Sequence, residues 1–194
     1  PVRRRPMQYI LEWPPAPRPP LADMPSPIQI RLLAAPDTPA LRNLRLAALA
    51  ETPRAFGSSV EEEESLGLDH FLRLAEADER RAILGAFAEG HMVGMTGISQ
   101  YDKLKARHKA FIWGVYVGPE RRGQGLARQL LQAALARAAA MPGVRRVHLT
   151  AAADNTAAIA LYTALGFVEY GREPESLCVN GEMIDEVLMS CLLR

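Results

Sequence analysis

The chain has 194 residues, 48% hydrophobic and 23% charged, ordinary values for one globular domain with at most a tail. Its 23 basic and 22 acidic residues leave a net charge of +1. That balance excludes both the collected basic excess of a nucleic-acid binder and the apolar-poor composition of a disordered acidic chain.

Two cysteines, Cys178 and Cys191, show neither CxxC spacing nor a nearby histidine cluster. This excludes a disulfide scaffold and a zinc site; no metal is expected, and the pattern suits a reducing cytoplasm. No run approaches the ~18 apolar residues of a membrane span. Arg3, Arg4 and Arg5 are followed by only a short apolar stretch before Glu12 and prolines, which does not make a secretory signal. The expectation is a cytoplasmic protein with neither membrane nor nucleic-acid partners.

Nine of the 15 prolines precede Ile28. Residues 1–27 therefore read as an extended leader or upstream sequence, with a ligand for a proline-recognising groove as the other reading, and Met24 as a candidate natural start. The folded unit is placed at 28–194. Ile28 to Leu32 alternates like a strand. Asp37 is a candidate N-cap for a helix with Pro39 in its first turn, apolar at Leu41, Leu44, Leu46 and Leu49, and disrupted at Thr52-Pro53. Ser58-Ser59 opens a second helix through Glu61 to Glu64. Those four carboxylates read as solvent-exposed complements to the helix dipole, with a cation site as the alternative.

Ala82 to Ala88 and Met92 to Ser99 read as a hairpin around Glu89-Gly90, with Gly94 and Gly97 marking a bulge or close approach. Ala110 to Val117 is a third strand. Gly125 to Met141 is a helix with Leu126, Leu130, Leu131, Ala134, Leu135 and Ala138 on one face. Val144 to Ala151 is a strand, Asn155 to Leu165 a helix stopped by Gly166, and Phe167 to Gly171 and Glu186 to Leu192 are closing strands. A mixed sheet with helices on its faces follows, an α/β (α+β layered) architecture.

The segment Val117-Gly118-Pro119-Glu120-Arg121-Arg122-Gly123-Gln124-Gly125-Leu126-Ala127 joins a strand to a helix through a glycine turn. The first amides of a helix have no intrahelical partner and carry the positive end of its dipole. Glycines at 123 and 125 let an anion approach those amides, and Arg122 adds a charge suited to phosphate oxygens. The spacing is neither the dinucleotide GxGxxG nor the P-loop.

Arg122 to Ala127 and the later run Asn155 to Phe167 together resemble two signatures of the GCN5-related N-acetyltransferase (GNAT) superfamily. They match [Q/R]-x-x-G-x-[G/A] and N-x-x-A-x-x-L-Y-x-x-L-G-F, in that order and spacing. The resemblance implies a splayed sheet of six to seven strands flanked by about four helices, with acetyl-CoA as cosubstrate. By that resemblance Arg122, Gly123, Gln124, Gly125, Leu126 and Ala127 hold the pyrophosphate, while Val115 and Val117 pair with the pantetheine arm and acetyl carbonyl. Asn155 contacts the pantetheine, and Tyr162 gives its proton to the departing thiolate. The reaction implied is direct attack of a primary amine, on a small molecule or a protein, on the thioester. No protein nucleophile is needed, and both cysteines are expected to be inert.

Many such proteins carry a glutamate base where this chain has Phe111-Ile112-Trp113-Gly114, and relatives acting on ribosomal proteins carry one near Thr150. Neither is present, which leaves Asp102, His108 and His148 as candidate relays through water. Leu44 to Leu49, Thr52 to Ser59, Glu173-Pro174, Asp185-Glu186 and Met189 resemble a bacterial subgroup of unassigned substrate. In it these regions border the amine site, so Glu61–Glu64 and Glu173–Glu175 are candidates to attract a cation. A homodimer through the carboxy-terminal strands is expected by analogy. The rival readings are a non-catalytic acyl-CoA-binding module on the same fold and an interaction domain working through the proline-rich segment.

Overall fold

The computed structural model describes residues 28–193. The proline-rich segment 1–27, and with it any groove-binding role or start at Met24, lies outside the described residues. Seven strands form one sheet: β1 (Gln29–Leu32), β2 (Arg81–Ala88), β3 (His91–Gln100), β4 (Lys109–Val117), β5 (Arg146–Ala152), β6 (Val168–Val179) and β7 (Glu182–Leu192). Their spatial order is β1-β2-β3-β4-β5-β7-β6, with β4 and β5 parallel and every other pair antiparallel. Five α-helices accompany them among the described residues: α1 (Thr38–Glu51), α2 (Val60–Glu64), α3 (Leu68–Ala75), α4 (Leu126–Ala139) and α5 (Thr156–Ala164).

Strand β2 shows why the sheet is covered on both faces. Successive side chains of a strand point to opposite faces. Ala82, Leu84, Ala86 and Ala88 enter one apolar cluster, with Leu126, Leu130 and Leu131 of α4. Ile83 and Phe87 enter the other, with Leu41 and Leu49 of α1 and Phe71 of α3. A leucine removed from water in this way contributes about 2 kcal/mol. The core therefore sits in two layers, one on each side of β2–β4.

Three details differ from the sequence expectations. Helix α3 is a fifth helix: Leu68, Phe71, Leu72 and Ala75 follow the i, i+3, i+4, i+7 rule, and Phe71 and Ala75 are fully buried. The closing strands are longer than expected, because β6 runs past Pro174 as an edge strand. It absorbs the proline in an irregularity opposite β7, where Glu175 has φ 52°. The hairpin turns at Asn180-Gly181, with φ 52° and 82°, the backbone that Asn-Gly favours.

Asp37 occupies the N-cap position of α1 but makes no side-chain cap there. Its carboxylate instead accepts Nη1 and Nη2 of Arg31, each at 2.7 Å, and the amide of Ala34 at 2.9 Å. Ser59 does cap α2, accepting from the amide of Glu62 while Glu62 accepts from the amide of Ser59. Gly166 has φ 89° and closes α5 as read from the sequence. No helix among the described residues is long and apolar enough to cross a membrane.

Candidate active site

Strands β4 and β5 pair only where Lys109, Ala110 and Phe111 face Arg146, Val147 and His148. Beyond Phe111 they diverge. A bulge produces the divergence: register against β3 shifts between Met95 and Gly97, and Gly114 adopts φ 64°. Gly97 is required beside it, because a β-carbon there would fall 2.2 Å from the Trp113 ring. The indole crosses β3 at that point, its Nε1 donating to Ser99 Oγ at 3.2 Å. The divergence makes a cleft of about 560 Å³ between Trp113–Val115 on one side and Leu149–Ala152 on the other.

At the end of β4 a 3-10 turn (Pro119–Arg121) leads to the first turn of α4. Gly123 (φ 73°) and Gly125 (φ 74°) are both left-handed, and nothing lies within 4 Å of a β-carbon built at either. No side chain caps α4, so its leading amides face outward from an unobstructed turn. Arg122 does not extend freely from it: Nε donates to the Val117 carbonyl at 2.9 Å and Nη2 to Glu51 at 2.8 Å. Gln124 Nε2 bonds back to the Glu120 carbonyl at 3.4 Å. Leu126 is buried in the core. Of the residues expected to hold the cofactor, Val115, Val117, Arg122, Ala127 and Asn155 line the cleft together with Tyr162. Gly123, Gln124, Gly125 and Leu126 form the adjoining turn without lining it.

Asn155 is the N-cap of α5, its Oδ1 accepting from the Ala158 amide at 3.1 Å. Asn155 also lines the cleft. Tyr162 is buried on the inner side of α5, 6% exposed, and packs obliquely on Phe167. Its hydroxyl makes no hydrogen bond to any described residue, and desolvation pushes its pKa up to about 12. The phenol therefore keeps its proton at neutral pH.

The three proposed relays lie elsewhere. Asp102 and His108 are exposed on the 101–108 loop, and His148 Nδ1 lies 3.2 Å from the Tyr170 hydroxyl. None of them lines the cleft, and neither does Cys178 or Cys191. The carboxylate that does is Glu186 on β7, opposite Ala152 of β5 and accepting from Ser176 Oγ at 2.7 Å. The sequence placed Glu186 in the closing hairpin beside the amine region. Only the β5–β7 register turns it into the cleft.

The glutamate run of α2 departs from its expected solvated character at Glu63. That residue is 8% exposed and receives Arg45 Nε at 2.9 Å and Nη2 at 2.6 Å. Arg45, equally buried, lines the cleft from α1 and was not singled out in the sequence.

Residues 44–167 match the Acetyltransferase (GNAT) family. The chain belongs to that family. It is similar to the spermidine N(1)-acetyltransferase of Vibrio cholerae, 28% identical over 55% of this chain and 60% of that one. It is also similar to the L-2,4-diaminobutyric acid acetyltransferase of Chromohalobacter salexigens, 37% identical over 49% of this chain and 48% of that one. The chain thus spans about half to three-fifths of the length of these curated relatives. A protein of Salmonella typhimurium solved with its cofactor acetyl-CoA shares the fold, with a TM-score of 0.77 at 23% identity over 87% of this chain and 95% of that one.

Proposed function

We propose that this GNAT protein is an acetyl-CoA-dependent N-acetyltransferase acting in the cytoplasm on a primary amine. The observation that carries the reading is adjacency: Arg122 and Ala127, which flank the two-glycine turn at the start of α4, line the β4–β5 cleft, and so does Tyr162. The cleft suits a narrow arm ending in a diphosphate. The outward amides of α4 would meet the diphosphate, and the β4 edge beyond Phe111, which has no strand partner, would pair with the amide-bearing arm.

Bound acetyl-CoA supplies an activated thioester. Around it, backbone amides of β4 near the Gly114 bulge would stabilise an oxyanion. Glu186, directly or through water, takes the proton from the attacking amine as the C–N bond forms. Tyr162 gives its proton to the sulfur as the C–S bond breaks. Burial pushes the Tyr162 phenol up to about 12, above an ordinary thiol value of ~8.5, so its transfer to sulfur depends on positioning as the C–S bond breaks. Phe111–Gly114 offer no carboxylate, which favours a non-catalytic binding module; Glu186 supplies the group that reading lacks.

Calorimetric titration with acetyl-CoA tests the proposal, comparing the intact protein with Gly125→Glu and with Gly125→Ala as a control for backbone strain at φ 74°. Binding by the intact protein and the alanine variant, but not by the glutamate variant, is expected. A protein that folds and binds no acetyl-CoA would refute it.

A further inference from the structure

Arg45 has a donor that the fold does not use. The residue is 8% exposed, and its guanidinium carbon lies 4.8 Å from the centre of the Phe56 ring. Nε and Nη2 are both spent on Glu63, whose two oxygens turn toward them. Nη1 is buried and has no hydrogen-bond partner. It lies 3.5 Å from where a side chain at Gly114 would begin, which places it beneath the β4 bulge on the cleft wall.

A buried guanidinium N–H without an acceptor opposes folding unless something supplies one. Glu63 cannot turn to it without breaking the bidentate pair. Nη1 therefore lies just behind the cleft wall at the Gly114 bulge, a cationic donor that an acceptor group could satisfy on entering. Besides Arg45 the charged lining residues are Arg122, which is paired with Glu51, and Glu186, the single acid among the described lining residues. A polyamine would find one carboxylate for several ammonium groups. An amine that also bears an acid would satisfy Arg45 and leave Glu186 for the nitrogen.

We propose that Arg45 Nη1 is the anchor for an anionic group on the acceptor, which makes the substrate class amino-acid-like amines bearing a carboxylate. Resting on the transferase reading above, this assigns specificity to α1 and the Arg45–Glu63 pair.

The test titrates matched ligands differing only by a carboxylate into the coenzyme-A-bound protein: 2,4-diaminobutyrate with 1,3-diaminopropane, lysine with cadaverine, phenylalanine with phenethylamine. At least one acid is expected to bind about 10- to 100-fold tighter than its decarboxylated partner, the range of a lost charge-assisted hydrogen bond. Arg45→Lys keeps a charge for Glu63 but has no second arm of the fork, so the preference for the acid over its decarboxylated partner should fall to within about 3-fold. Arg45→Gln serves as the second variant, its folding checked by thermal melting. Acids that bind no tighter than their partners, or a preference that survives Arg45→Lys, would overturn the proposal. Acetyl-CoA binding is titrated separately. Its failure refutes the transferase reading and this inference together, whereas equal binding of each pair to a protein that does bind acetyl-CoA refutes the anion anchor alone.

Discussion

The Tyr116 hydroxyl donates to Glu51 Oε2 at 2.5 Å, and the same oxygen accepts from Arg122 Nη2 at 2.8 Å. The last residue of α1 thus ties the end of β4 to the arginine of the glycine turn. Burial, and then the bond to Glu51, push Tyr116 up to about 12. The Tyr116 hydrogen bond, and then that of Arg122, hold Glu51 below the usual carboxylate range. Glu51 also sets a negative charge beside the proposed diphosphate site. Glu51→Gln should keep a partner for Tyr116 while unmasking Arg122, tightening acetyl-CoA binding about 2- to 5-fold at low salt. The gain should shrink at high ionic strength. Calorimetry at two salt concentrations checks both.

The Arg31–Asp37 pair ties β1 to the start of α1 through two parallel bonds. Arg31 hydrogen bonds, opposed by partial burial, hold the Asp37 carboxyl below its ordinary 3.8. The folded chain therefore binds this proton only at lower pH than the unfolded chain does. The stability it contributes is full above about pH 4 and is lost as pH falls through the depressed value. Asp37→Asn should cost about 1 kcal/mol at pH 7 and progressively less as pH falls through the depressed value of the Asp37 carboxyl. Urea midpoints across that range measure the difference.

Gly97 faces Trp113 so closely that any side chain collides with the indole, at 2.2 Å from Cε2 and 2.4 Å from Cζ2. Relief requires moving the ring and with it the bulge. Gly97→Ala should lose about 2 kcal/mol or more of stability, whereas the same change at open Gly57 should cost far less. Chemical denaturation of both variants separates a packing cost from a generic glycine effect.

Tyr162 and Glu186 are assigned opposite proton roles in one cleft. Tyr162→Phe removes only the hydroxyl and should lower kcat about 100-fold or more with little change in acetyl-CoA affinity. Because Tyr162 stays protonated to about 12, the wild-type kcat profile should show no loss of this acid below about pH 10. Glu186→Gln should lower kcat/KM for the amine and shift its dependence to higher pH, where the free amine is already neutral. A Glu186→Gln profile matching the wild type would remove the base assignment.

The sequence by itself determined the elements whose signals are local. The Ser59 cap, the Gly166 stop, the Glu89-Gly90 hairpin and the apolar face of α4 follow from side-chain period and backbone preference within a few residues. The glycines at 123 and 125 were legible for the same reason, since their φ values are a property of the turn itself. Helix α3 and the Asn180-Gly181 turn carried comparable signals in Leu68-x-x-Phe71-Leu72 and in the Asn-Gly pair.

Only the tertiary structure decided which charges meet. Asp37 reads as a cap until Arg31 comes within reach across the β1 connection. Glu63 reads as one exposed acid in a run of four until α2 packs on α1 and sets it against Arg45. Glu186 alternates along β7 like its neighbours, and it faces the cleft because Ala152 of β5 lies opposite and β4 has turned away. These pairings depend on the register and divergence of strands far apart in the chain. Local preference carries no information about such distances, which is why the glycine turn and Tyr162 could be read in the sequence, while the Arg45–Glu63 pair and the place of Glu186 in the cleft could not.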